Sequence, residues 1–247
     1  MRIDEELQRL VQGAARVAVL TGAGISAESG VPTFRQARSG FWERFDPEEL
    51  ATPEAFARNP RKVWAWYAQR REQARQAEPS PAHRALAQWE QLLAWCCVVT
   101  QNVDGLHQRA GSGHVVELHG NIHGDRRFEA DTPPDEDLDG LPRCPETGAL
   151  LRPDVVWFGE RLPEGALEAA KEAMRSADLV LSVGTSALVQ PAASLPLEAL
   201  ERDIPVVEVN REPTPLTPVA DWALQGEAGE ILPELVTAAG EGAKRAG

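Results

Sequence analysis

Short apolar runs recur along the chain as Val17–Thr21, Cys96–Thr100, Val115–Leu118, Val155–Phe158, Leu179–Val183 and Val206–Asn210. They are continuous rather than alternating, as expected of strands buried on both faces. Between most of them lie helix-like stretches, among them Glu5–Ala14, Pro81–Ala94, Glu164–Ser176 and Pro191–Glu201. All four of these open on an acidic residue or a proline that suits a first helical turn. The rhythm predicts an α/β fold, a parallel sheet covered by helices on both faces. Segments 36–79 and 120–154 break it: the first is rich in aromatics and arginine, the second in proline, glycine and acids. Both read as insertions that together build a smaller lobe. The acid- and proline-biased stretch from Asp131 to Asp137 reads as an exposed loop.

With 247 residues the chain is long enough for one sizeable domain with an appendage. A formal charge of −13 argues against a nucleic-acid binder, which needs clustered lysine and arginine. A basic protein partner fits better. Of three cysteines, Cys96 and Cys97 are neighbours in an apolar run, where a buried structural role outweighs a disulfide. No run reaches the roughly 18 to 20 apolar residues of a membrane span, and the acidic start lacks the layout of a secretory signal. A soluble, cytoplasmic protein without a membrane partner is expected.

The first strand runs directly into Gly22-Ala23-Gly24-Ile25-Ser26-Ala27. This satisfies G-x-G-x-x-A between a strand and helix-compatible residues, where glycines permit a tight turn and close approach to a pyrophosphate. A Rossmann-like, dinucleotide-binding sheet is therefore expected, formed by residues 1–35, 80–119 and 155–247. An ordinary dehydrogenase would next show a strand ending in an acid about 20 positions on. Here that place falls in Arg38-Ser39-Gly40-Phe41-Trp42-Glu43, which is no strand. Instead a polar, proline-broken loop follows, Glu28-Ser29-Gly30-Val31-Pro32-Thr33-Phe34-Arg35. Later, Gln101-Asn102-Val103-Asp104 comes straight off the strand Cys96–Thr100, and Val115-Val116-Glu117-Leu118-His119-Gly120 sets a histidine at a strand end. A neutral imidazole suits proton removal from a sugar hydroxyl, because its ordinary pKa lies near working pH.

The string Gly22–Arg35 closely resembles the sirtuin signature, and Thr100–His107 and His119 resemble further blocks of that family. The likeness spans about Arg16 to Leu235. It implies an NAD-dependent protein-lysine deacylase. His119 would be the base, with Asn102 and Asp104 around the nicotinamide ribose and carboxamide. The cofactor would be NAD, held by Gly22, Ala23, Gly24, Ser26, Ala27, Pro32, Thr33, Phe34, Arg35, Gln101, Asn102, Val103 and Asp104. Its adenosine half would lie on Gly184, Thr185, Ser186, Asn210 and Ala228, with Arg211 and Glu212 nearby. The block Arg152–Glu160 resembles the segment that pairs with the acyl-lysine peptide as an added strand, which puts Val156, Trp157, Phe158 and Gly159 against substrate.

In the first insertion, Tyr67 and Arg70 are three apart in a helical stretch and can share a face. A hydroxyl and a guanidinium converging on a pocket form a carboxylate receptor. This Tyr-x-x-Arg resembles the acyl-pocket pair of the desuccinylase-like, class III subgroup, which implies succinyl and malonyl cargo, with acetyl as a second substrate. Family members usually carry two Cys-x-x-Cys pairs binding zinc after the histidine block. Here 121–152 holds only Cys144, followed by Pro145-Glu146-Thr147, and the first pair has become residues around Gly124–Arg127. One thiol cannot make a tetrahedral site, so no structural zinc is expected, and 120–154 reads as a degenerate ribbon. A mixed site of His123, Asp125 and Cys144 is the alternative. Functional alternatives are ADP-ribosyl transfer to a protein, a non-catalytic module that binds NAD or acyl-peptide, and a dehydrogenase.

Overall fold

A computed structural model of the chain describes residues 3–31, 50–129 and 139–246. The main sheet is built from β1 (Arg16–Thr21), β2 (Trp95–Thr100), β3 (Val115–Glu117), β6 (Leu179–Val183), β7 (Val206–Asn210) and β8 (Trp222–Gln225). These six strands are all parallel and lie in the order β3-β2-β1-β6-β7-β8. The order reverses between β1 and β6, and at such a point the loops beyond the carboxyl ends part to leave a crevice.

Helices cover both faces. On one face α1 (Glu5–Gly13), α5 (Pro81–Glu90) and α9 (Ala228–Ala246) pack with Val17, Val19, Val98 and Leu181. On the other, α7 (Ala166–Ser176) and α8 (Leu195–Leu200) pack with Ala18, Leu20, Val99 and Val180. Alternate residues of one strand thus feed two different cores, which is why the sequence shows unbroken apolar runs.

The run Val155–Phe158 is not a strand of this sheet. The strand in that region is β5 (Leu151–Val155), paired antiparallel with β4 (Gly120–Arg127) in a separate two-stranded sheet. Val156 to Gly159 continue past the ladder as extended chain and a turn. The helical stretch at 81–94 stops at Glu90, and the one at 191–201 opens with a 3-10 turn, Ala192–Ser194, before α8 begins. The small sheet joins α3 (Pro53–Arg58) and α4 (Pro60–Gln76) around a third core of Phe56, Val63, Trp64, Trp66, Tyr67, Ile122, Val155 and Trp157. Arg71 ties the two insertions together, donating to the carbonyls of Ile122 at 2.6 Å and Gly124 at 3.1 Å and pairing with Asp125 at 2.6 Å.

Candidate active site

A cleft of about 1440 Å³ opens beyond the carboxyl ends of the main sheet and runs to the small lobe. At its floor β1 ends in Gly22-Ala23-Gly24, followed by α2 (Gly24–Ala27). The glycines also meet a demand that the sequence-based expectation did not name. A Cβ on Gly24 would lie 2.6 Å from the Gly184 Cα, and one on Gly22 2.8 Å from the Thr185 Cα. Both glycines therefore admit the chain's own neighbouring loop, which Gly24 N–H joins by donating to the Gly184 carbonyl at 2.7 Å. Gly184 itself has φ +60°, a conformation open to glycine and strained for most other residues. Ala23, Ser26 and Ala27 line the cleft beside them. Pro32, Thr33, Phe34 and Arg35 lie outside the described residues.

The loop after β2 supplies a directed relay. Asn102 Nδ2 donates to the Gly22 carbonyl at 3.0 Å and to Ser26 Oγ at 3.1 Å. Ser26 Oγ in turn donates to Asp104 Oδ2 at 2.8 Å. Leu106 N–H, the first of α6 (Leu106–Ala110), donates to the other carboxylate oxygen at 3.0 Å. Burial pushes the Asp104 carboxyl above its ordinary range, against the pull of these hydrogen bonds. Gln101 Nε2 donates to Thr185 Oγ1 at 2.9 Å, joining this loop to the one after β6, and Val103 lines the cleft beside it.

His119 follows β3 and lines the same cleft. Its Nδ1 lies 3.0 Å from the Gln101 carbonyl. A carbonyl only accepts, so Nδ1 carries the proton and Nε2 keeps its lone pair. Burial holds the imidazole below its ordinary pKa, the Gln101 bond opposing in part. The ring is thus a neutral base with a fixed tautomer. The other motif histidines are differently engaged: His107 Nε2 bonds Thr21 Oγ1 at 2.9 Å in the interior, and His123 Nε2 contacts the Asp104 carbonyl at 3.1 Å.

The far half of the cleft is built after β6 and β7. Gly184, Thr185, Ser186, Asn210, Arg211, Glu212 and Ala228 all line it. Asn210 Nδ2 donates to the Thr185 carbonyl at 2.8 Å. Arg211 is held by Glu227 at 2.5 and 2.6 Å, so its charge is already neutralised.

At the small lobe Tyr67 and Arg70 of α4 reach the cleft, as do Val156, Trp157, Phe158 and Gly159. Tyr67 Oη accepts from Trp157 Nε1 at 2.9 Å, and burial raises its phenol to about 12. The Arg70 guanidinium lies 4.9 Å from the Trp66 ring centroid, a cation–π contact. Among the described residues no carboxylate is within ion-pair distance of Arg70. Burial lowers its pKa, with Tyr67 and Asp104 opposing, and it remains a cation, as arginine does throughout proteins. Sequence reasoning missed Trp66 and Trp157 as partners of this pair. Trp66 was one residue away in the same helical stretch, whereas nothing local links Trp157 to Tyr67.

Among the described residues no group of three or more histidine, cysteine or acidic side chains is arranged for a metal ion. Cys144 is a free thiol whose turn is closed by backbone bonds between Cys144 and Ala149 and between Gly148 and Cys144. The residues around Cys144 do not fit the tetrahedral ligand set a structural zinc needs.

A crevice at the sheet's strand-order reversal, with an imidazole base beside an amide-hydroxyl-carboxylate relay, defines a nucleotide-dependent enzyme. The Sir2 family model matches residues 22–191. A protein of Archaeoglobus fulgidus, "NAD-dependent protein deacylase 1", is 49% identical over 240 residues, covering 95% of this chain and 97% of its own. An "NAD-dependent protein deacylase" of Thermus thermophilus is 53% identical over 239 residues, covering 92% and 91%. Among solved structures, a Sir2 homologue–NAD complex superposes with a TM-score of 0.91 at 46% identity, covering 98% of this chain and 96% of that one. A Sir2–p53 peptide–NAD+ complex gives 0.83 at 31% identity, covering 98% and 100%. The chain belongs to the Sir2 family.

Proposed function

We propose that this chain removes acidic acyl groups, succinyl and malonyl, from protein lysines, with acetyl as a second substrate. The coarser activity follows from the family and its relatives: the chain is an NAD-dependent protein deacylase. The observation that carries the finer reading is Arg70, a half-buried guanidinium at the cleft with no carboxylate of its own among the described residues, three residues from a buried phenol. A cation partly withdrawn from water without a counter-charge is costly. A carboxylate at the end of the acyl chain would relieve that cost, accepting two parallel N–H bonds from Arg70 and one O–H bond from Tyr67.

The residues fit NAD: a wide cleft lined by the backbone of Gly22–Gly24 and Gly184, with polar groups converging at Asn102 and Asp104. NAD supplies an anomeric carbon that turns electrophilic as nicotinamide leaves. Asn102 and Asp104 stand where positive charge would grow, held in place through Ser26. His119 Nε2 would take a proton from a ribose hydroxyl, whose oxygen would then bond the acyl carbon. The acyl oxygen would take the anomeric carbon as its bond to nicotinamide breaks, and one water would enter as the acyl–nitrogen bond breaks, so that free lysine, nicotinamide and an O-acyl-ADP-ribose are the products. Val156 to Gly159 would hold the peptide by backbone pairing, giving affinity with little sequence preference. The adenosine half would lie on Gly184, Thr185, Ser186, Asn210 and Ala228, with Arg211 and Glu212 at the edge.

The small lobe is read as zinc-independent, held instead by Arg71 and by the Arg152–Glu160 ion pair. Three free cysteines suit a reducing cytoplasm, and among the described residues no helix is long and apolar enough to cross a membrane. The test is kcat/KM on succinyl-, malonyl- and acetyl-lysine peptides of one sequence. Higher values for the two acidic peptides are expected; a preference for acetyl would remove the acid-cargo reading while leaving the deacylase intact.

A further inference from the structure

We propose that Trp157 is a positioning residue that turns the Tyr67 hydroxyl toward the acyl carboxylate and so sets the preference for acidic cargo. The proposal rests on the acid-cargo reading above. An indole nitrogen only donates, so in the Trp157–Tyr67 bond the phenol oxygen is the acceptor. A phenol proton lies near the plane of its ring, and with one in-plane position taken by the indole N–H, the proton is left the other. Among the described residues no acceptor meets it. Tyr67 is 5% exposed, so this is a buried donor without an acceptor, on a residue that lines the cleft. The phenol stays protonated at any working pH because burial raises it.

Trp157 has little freedom to point elsewhere. Its main-chain N–H donates to Glu160 Oε2 at 2.7 Å. The Arg152 guanidinium stacks 3.2 Å from its ring centroid, and Arg152 is itself fixed by Glu160 and by the Val155 carbonyl at 2.6 Å. Phe56 closes another side at 5.3 Å between centroids. The indole is 2% exposed. Glu160 thus anchors the tryptophan through both backbone and ring, and the tryptophan anchors the tyrosine.

The experiment is a double-mutant cycle read as the ratio of kcat/KM on succinyl-lysine to acetyl-lysine peptide. Trp157→Phe keeps an aromatic ring and removes the donor. The ratio is expected to fall about tenfold, chiefly through KM for the succinyl peptide, as for one lost oriented hydrogen bond. In a Tyr67→Phe background the same change should leave the ratio where Tyr67→Phe alone put it. A ratio untouched by Trp157→Phe, or lowered again on top of Tyr67→Phe, overturns the proposal. If Tyr67→Phe and Arg70→Met themselves leave the ratio unchanged, the acid-cargo reading fails instead.

Should Trp157→Phe not fold, ¹H–¹⁵N spectra of the unaltered protein decide. The chain has seven tryptophans, and the indole signal displaced in Tyr67→Phe identifies Trp157. That signal is expected to move with either peptide, since Trp157 lies in the segment that pairs with it, and to move clearly further with the succinyl peptide. Indifference to both, or equal response to both, contradicts the positioning role.

Discussion

Arg70→Met isolates the receptor charge. Methionine keeps most of the stem's volume against Trp66 and removes the guanidinium, so packing of the third core is little disturbed. In the structure Arg70 meets no carboxylate among the described residues, and its charge is sheltered by the Trp66 ring. A bound succinyl carboxylate therefore faces no internal competitor there. Charge-assisted hydrogen bonds contribute about 1.5 to 3 kcal/mol each. Two parallel bonds, less the cost of desolvating the ligand's carboxylate, leave about 3 kcal/mol, on the order of 100-fold in kcat/KM. Acetyl carries no carboxylate to lose that interaction, so the succinyl-to-acetyl ratio should drop by on the order of 100-fold. The assay is initial-rate nicotinamide release on matched peptides at saturating NAD. An equal loss on succinyl, malonyl and acetyl substrates would show that Arg70 supports the lobe rather than reading the cargo.

Three further outcomes follow from buried groups. His83 is fully buried and held down to about 4 by desolvation. Below pH 6.5 the unfolded chain takes up a proton there that the native state refuses, so stability present above 6.5 is lost as pH falls toward 4. The difference amounts to about 3 kcal/mol at the acid end, and His107, also lowered by burial, acts in the same direction; thermal melts at pH 7, 6 and 5 should show a falling midpoint, and a constant one would contradict the buried-neutral assignment. The acid limb of the kcat/KM profile should lie below pH 6.5, because burial lowers His119 and the base must be neutral; a limb above 6.5 would assign the titration to another group. Prolonged EDTA dialysis should leave both activity and melting midpoint unchanged, whereas loss of either, restored by zinc, would reveal a metal the small lobe needs.

The main sheet was legible because its strands feed apolar side chains to both faces, so Val17–Thr21 or Leu179–Val183 announces itself without any long-range information. β5 was not. Its sequence, Leu-Arg-Pro-Asp-Val, buries an arginine whose charge is met by Glu160, eight residues on, and the apolar run that follows it mimics a strand. β4 carries glycines and charges with a single buried apolar residue, Ile122, and β8 is four residues long. α9 was hidden by Pro233 and by its glycines. In the site, single residues at strand ends were readable from the motif, whereas what orients them was not. The Gly24–Gly184 approach spans two distant loops, and the Trp157–Tyr67 bond joins positions 90 apart. Such pairs obey no local period, and only the folded chain brings them together.

The most direct test of the account is His119→Ala, read by mass spectrometry of the reaction with NAD and succinyl-lysine peptide. The unaltered enzyme should yield free-lysine peptide and O-succinyl-ADP-ribose. The variant should bind NAD within a few-fold of normal, by calorimetry, yet release the acyl group at least roughly 100-fold more slowly, as for loss of a general base. Deacylation by the variant at an undiminished rate, or a peptide that gains ADP-ribose instead of losing its acyl group, would contradict the assignment of His119 and of the reaction itself.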